Sequence, residues 1–270
     1  MPKLPLVAAA LSLAGAVLQA QGSGCGGLTA SVVPNPAPYG EVVKATLTNP
    51  TTSIITLPET CVIRTIHEGG PDGPAITGFG CLTAPAPIFP GGSLEQLWNQ
   101  ETDEGVQVEP GLYTLKFNTP LGAGPCELSL VIDPCPAGQI TTFGSGCGTG
   151  RCGIFDFGPL VLNVKSCPLP GTDLALQLRN ADCLAPAVLA LGISNTSWMG
   201  SALPLDLGGG CQLLVSPNLM FPGMTDQGGG FSFAIAIPPI PALQGAVVYL
   251  QAAIASEAIK TSAAVALTLG

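Results

Sequence analysis

Beyond its first two dozen residues the chain alternates apolar and polar side chains in short runs, each closed by glycine, proline or asparagine. Residues 42–49, Val-Val-Lys-Ala-Thr-Leu-Thr-Asn, are typical, and Pro50 disfavours their continuation. A two-residue period places successive side chains on opposite faces of a strand, so such runs predict half-buried β-structure. The most informative stretch is 94–117. It reads as a strand ending near Trp98, an acidic turn, a short strand at 106–108, a Pro110-Gly111 corner and a strand at 112–117. Proline presets φ and glycine accepts a positive φ, which makes that corner a turn. Tyr113, just past it, is placed to tether two sheets through its hydroxyl.

The same reading predicts strands at 28–33, 54–57, 62–67, 75–79 and 128–132. Together with those above, that is a sandwich's complement for residues 22–134. Residues 83–92, Thr-Ala-Pro-Ala-Pro-Ile-Phe-Pro-Gly-Gly, carry too much proline for a central strand and predict an exposed extended loop. Residues 133–142 read as a joint. After a glycine-rich lead-in from Phe143, strands are expected at 160–164, 173–179, 188–193, 203–207, 212–216, 231–237, 246–255 and 263–269. The run Val-Val-Tyr-Leu-Gln-Ala-Ala-Ile-Ala fits a buried helix by periodicity, but its β-branched and aromatic start after Gly245 favours a strand. The fold class expected is all-β: an immunoglobulin-like antiparallel sandwich, then a second, jelly-roll-like one over 143–270.

Composition changes the picture in three ways. Gly 36 and Pro 27, set among 47% hydrophobic residues, indicate turn-dense domains with real cores rather than disorder. A formal net charge of −9 with scattered Lys and Arg lacks the basic footprint that nucleic-acid binding needs. Residues 1–20 have the build of a secretory signal: Lys3, the apolar segment 4–17 and Leu18-Gln19-Ala20 as cleavage site. That segment is short of the ~20 residues a spanning helix requires, and no later run reaches that length without proline or glycine. A mature chain without a membrane span, secreted, at the cell surface or periplasmic, is therefore expected.

Ten cysteines suit an oxidising compartment. Zinc usually takes paired C-x₂₋₄-C knuckles, and only Cys147 and Cys152 approach that spacing, so disulfides are expected and no metal or other cofactor. Cys25, Cys61, Cys81, Cys126 and Cys135 precede the joint; Cys147, Cys152, Cys167, Cys183 and Cys211 follow it. Five and five cannot both close internally: either one bridge crosses the joint or two thiols stay free. The pairings expected are Cys61 with Cys81, Cys183 with Cys211, and Cys147 with Cys152 or Cys167.

No set of catalytic residues assembles in the sequence. A serine triad needs a histidine base, and His67, the one histidine, sits by a turn as a solvated strand-end residue. Glu95, Glu101, Asp103, Glu104 and Glu109 offer only a fragment of a calcium loop and read as a solvated turn. Paired carboxylates for sugar cleavage would want an aromatic cleft, and the chain has only Trp98 and Trp198. The run Gly-Ser-Gly-Cys-Gly-Thr-Gly-Arg-Cys-Gly lacks the ending of a phosphate loop. Asn195-Thr196-Ser197 is a formal glycosylation sequon.

Several of these pieces, in order, resemble a known family. TLTNPTT at 46–52, CVIRTIHEGG, FPGGSLEQLW and the G-V-x-V-x-P-G-x-Y-x-L ending at Leu115 are similar to the BsuPI-type intracellular proteinase inhibitor domain, an immunoglobulin-like sandwich. The export signal, Cys61 and Cys81 depart from it. FGSGCG, LALGIS, LPLDLGGGCQLLVSP and IPPIPALQGAVVYLQAAI resemble a C-terminal module of exported planctomycete-type proteins. The function expected is non-enzymatic binding of a protein or cell-envelope component. The alternative is an extracellular proteinase inhibitor using the loop that holds Thr83, Pro85, Pro87, Ile88, Phe89 and Pro90, which extended proline-stiffened chain suits because little entropy is lost on docking. Carbohydrate binding through Trp98 or Trp198 is a third.

Overall fold

The computed structural model describes residues 25–135 and 138–270, so the expected signal segment lies outside the described residues. The first half contains β1 (Thr29–Val33), β2 (Ala37–Pro38), β3 (Val43–Thr48), β4 (Ile55–Leu57), β5 (Ile63–Glu68), β6 (Ala75–Gly78), β7 (Ala86–Ile88), β8 (Ser93–Trp98), β9 (Gly111–Phe117) and β10 (Cys126–Asp133). A three-stranded sheet, β1-β3-β8, faces a five-stranded one, β2-β10-β9-β5-β6, and β4 pairs β7 in a separate ribbon. Strand β2 leaves its neighbours to run parallel to β10, the strand swap of an immunoglobulin-like sandwich. The alternation read along 43–48 appears as Val43, Ala45 and Leu47 wholly inside. They meet Ile63, Ile66, Leu115, Leu130 and Ile132 from the facing sheet in one continuous core.

The second half contains β11 (Gln139–Phe143), β12 (Thr149–Cys152), β13 (Phe155–Pro159), β14 (Val161–Val164), β15 (Asp173–Arg179), β16 (Pro186–Gly192), β17 (Ser197–Trp198), β18 (Ser201–Ala202), β19 (Leu205–Gly208), β20 (Cys211–Leu213), β21 (Leu219–Met224), β22 (Phe231–Ala236), β23 (Val247–Ala255) and β24 (Ile259–Thr268). Sheet β14-β15-β22 packs on β11-β24-β23-β16-β21, and three small hairpins decorate them. Two sandwiches are present, as the alternation predicts. In detail the second repeats the three-on-five order of the first, not the paired four-stranded sheets of a jelly roll. The ambiguous run 247–255 is strand β23, central in its sheet.

Three further expectations are corrected. Residues 139–142, read as joint, belong to β11 and pair with β24. Strand β21, Leu-Met-Phe-Pro-Gly-Met, lies between the expected strands at 212–216 and 231–237, in a stretch to which the sequence reading assigns no strand. It is tolerated because it is an edge strand, paired with β16 on one side only, and edges are where sheets accept proline. The strand expected at 106–108 is reduced to one bridge, Glu101 to Gln107.

All ten cysteines are paired: Cys25–Cys126, Cys61–Cys81, Cys135–Cys167, Cys147–Cys211 and Cys152–Cys183. The bridge that crosses the joint is Cys135–Cys167. The expected Cys183–Cys211 pair and the pairing of Cys147 with Cys152 or Cys167 do not form. Proximity in sequence was the wrong guide, since Cys147 lies beside β24 and meets Cys211 across that strand.

Candidate functional site

The ribbon β4–β7 is built outward from the buried Asn49. Its side-chain amide donates to the carbonyls of Ser53 and Ile88, each at 2.8 Å, and its carbonyl oxygen accepts from the Thr51 backbone N–H and hydroxyl. This holds the chain after β3 against the end of β7. Leu57 and Ile88 then drop into the core, one from each strand of the ribbon. Cys61–Cys81 closes its far end, where Thr60 and Leu82 also exchange hydrogen bonds.

Of the residues expected on an exposed loop, Thr83, Pro85, Pro87, Phe89 and Pro90 are exposed, whereas Ile88 is 2% exposed and is core. The segment is therefore partly strand, and Pro87 sits in it because a two-stranded ribbon has outer edges that need no N–H. One rung beyond the Ile55–Ile88 pair, Ile54 and Phe89 stand 56% and 61% exposed, and Leu82 at the other end is 71% exposed. Large apolar side chains are thus presented on a short element fastened at both ends.

The acidic turn has a different fate from the one expected. Glu101 is 4% exposed, not solvated. It pairs with Arg179 and with Lys165 at 3.2 Å, both from the second sandwich, and accepts from Asn99 and Asn163. Asn163 also bonds the Gly105 carbonyl at 2.6 Å and the Gln107 N–H at 3.0 Å, so its amide group pairs with backbone of the other half. Lys165 completes its contacts on the Asn99 carbonyl and Gln107 Oε1. Gly40 lies against the Lys165 carbonyl at φ +77°, where a Cβ would collide. This junction is a polar joint between sandwiches, a role the sequence could not show because its cations lie some 60 to 80 positions away from Glu101. Asp103 serves the edge of β6, taking the Thr77 hydroxyl and the Gly78 N–H. Glu95, Glu104 and Glu109 stay exposed.

His67 is half-buried and structural, its ring between the Gly73 carbonyl at 2.7 Å and the Thr65 hydroxyl at 3.1 Å. Trp98 is 2% exposed, donates to the Glu101 carbonyl and packs edge-on against Tyr113 at 6.0 Å. It has no face free to stack on a sugar. Tyr113 does close the corner, but onto the Glu109 carbonyl four residues back rather than onto the other sheet, at 2.5 Å. Burial, with Glu68 and Glu109 nearby, pushes its phenol up to about 12. Asp182 is opposed by burial, yet hydrogen bonds from Lys260, Ser256 and the Arg151 N–H prevail and hold its carboxyl below the ordinary range. Among the described residues no three His, Cys, Asp or Glu side chains gather as a metal ion would require.

No known family matches the chain, and no curated protein does. Solved structures similar to it include the red sea bream transglutaminase, with TM-score 0.30 and 12% identity over 88% of this chain and 31% of that one. A mutant Salmonella alpha-2-macroglobulin gives 0.23 and 14%, over 90% and 15%. Murine CEACAM1b gives 0.20 and 13%, over 88% and 98%. The chain thus spans under a third of the first two.

Proposed function

We propose that this protein is an exported, non-enzymatic binding protein that engages a protein or cell-envelope component through the β4–β7 ribbon. The observation that carries the reading is Phe89 with Ile54 and Leu82, exposed on an element pinned by Cys61–Cys81 and by buried Ile88. A rigid apolar anchor loses little entropy on docking, and aromatic anchors dominate interface energetics. Five disulfides fit an oxidising compartment, and among the described residues no helix is long and apolar enough to cross a membrane. The test is binding of purified protein to isolated envelope fractions. Phe89→Asp is expected to abolish saturable binding while leaving thermal unfolding unchanged; equal binding by the variant defeats the reading.

A second reading, proteinase inhibition, is favoured by the exposed chain between two fixed points, Cys81 and Ile88. The resemblance of 42–117 to an inhibitor domain agrees with it. Titration against subtilisin-like and trypsin-like proteases separates the two: saturable inhibition supports this reading, and steady cleavage within 82–87 excludes it.

A further inference from the structure

The two sandwiches share a strand order but differ on one side. In the first, the connection 79–92 from β6 to β8 carries β7, which seals that flank with Ile88. In the second, the equivalent connection from β21 to β22 is the loop 225–230, tied by Asp226 to the Gly228 and Gly230 N–H groups, and it carries no strand. On that same flank, toward the ends of β21 and β22 away from this loop, an apolar groove of about 590 Å³ opens between the two sheets. Its walls are Leu219 and Phe221 of β21 and Ile235 of β22, with Leu174, Leu191 and Val248 at its floor.

Strand β22 borders this groove and pairs on one side only, with β15. Exposed edges are templates for further pairing, and proteins blunt them with charge, proline or coverage. Here β8 carries Glu95, β6 is capped by Asp103, and β21 contains Pro222. Strand β22, Phe-Ser-Phe-Ala-Ile-Ala, has none of these, and no charged residue occurs from Gln227 to Ser256.

We infer that this groove receives one extended, uncharged segment of another protein chain, which adds to β22 as a fourth strand and fills the groove with alternate apolar side chains. Backbone pairing supplies affinity in such additions and the pockets supply selectivity. Charge and area select this occupant over a second copy. Each copy carries −9, while the groove is neutral. A six-residue edge is about 20 Å long, and pairing two such edges covers only a small part of the roughly 800 Å² per partner typical of a stable dimer.

The inference deepens the binding reading above and rests on it, but at a different surface. Its probe is an acetylated, amidated peptide of alternating valine and threonine with a solubilising glycol tail, titrated calorimetrically into the full chain. Saturable binding with protection of β22 amides from hydrogen exchange is expected, weakened at least about tenfold by N-methylation of alternate peptide amides and by Ile235→Glu. Ala236→Lys, at an exposed position, tests the same edge should Ile235→Glu fail to fold. No binding, or equal binding of the N-methylated peptide as a simple apolar ligand, overturns the inference. So does a dimer in sedimentation that dissolves on Ile235→Glu. Phe89→Asp leaves peptide binding intact, so loss of the ribbon reading and loss of this one are separately visible.

Discussion

Glu101 shows how one side chain acquires a meaning that its neighbours in sequence do not have. A carboxylate in a turn beside Asp103 and Glu104 is ordinarily wet, yet here two cations and two amides from both halves enclose it. Removing one partner of a buried charge set leaves the rest unpaired, so Glu101→Gln is expected to lower stability by about 3 kcal/mol in urea unfolding. Tyr113 makes a prediction in pH. Its folded pKa of about 12 exceeds the unfolded value of about 10, and Tyr39 is raised in the same direction, by burial first and then Glu109. Their contribution is whole below about pH 10 and is lost as pH rises through the folded value, because the unfolded chain releases protons first. Stability measured from pH 9 to 12 should therefore fall, and Tyr113→Phe should flatten part of that fall at a cost of about 1 kcal/mol at neutral pH.

The ribbon is the element on which local pattern and tertiary need diverge. Three prolines within 85–90 argue against a strand, and against a central strand they are right. What they do not exclude is a pair of short strands whose outer edges are free, with Ile88 as the buried rung. Because Cys61–Cys81 encloses 20 residues, its loss releases a loop worth about 3 kcal/mol in chain entropy. Replacing both cysteines by alanine should expose 82–87 to limited proteolysis well before the rest of the sandwich unfolds, with mass spectrometry locating the cut.

At the scale of the molecule, the two sandwiches are joined by a covalent and a polar link acting in parallel. Cys135–Cys167 spans the joint, and the Glu101 cluster with Asn163 and Lys165 lies beside it. The closed loop of 32 residues corresponds to about 4 kcal/mol. Cys135→Ser with Cys167→Ser should lower stability by up to that amount and, in small-angle scattering, widen the distribution of distances between the halves. Adding Glu101→Gln should act more than additively, since both changes loosen one interface.

Strand type, the presence of two sandwiches and the parity argument that one bridge must cross the joint were legible in sequence, because alternation and turn chemistry are local and five is odd. Which cysteines meet, what encloses Glu101, why Ile88 is hidden while Phe89 is not, and which edge stays open depended on contacts between residues far apart along the chain. Those are set by how the sheets stack. No periodicity in one strand records the identity of the strand that comes to lie across from it.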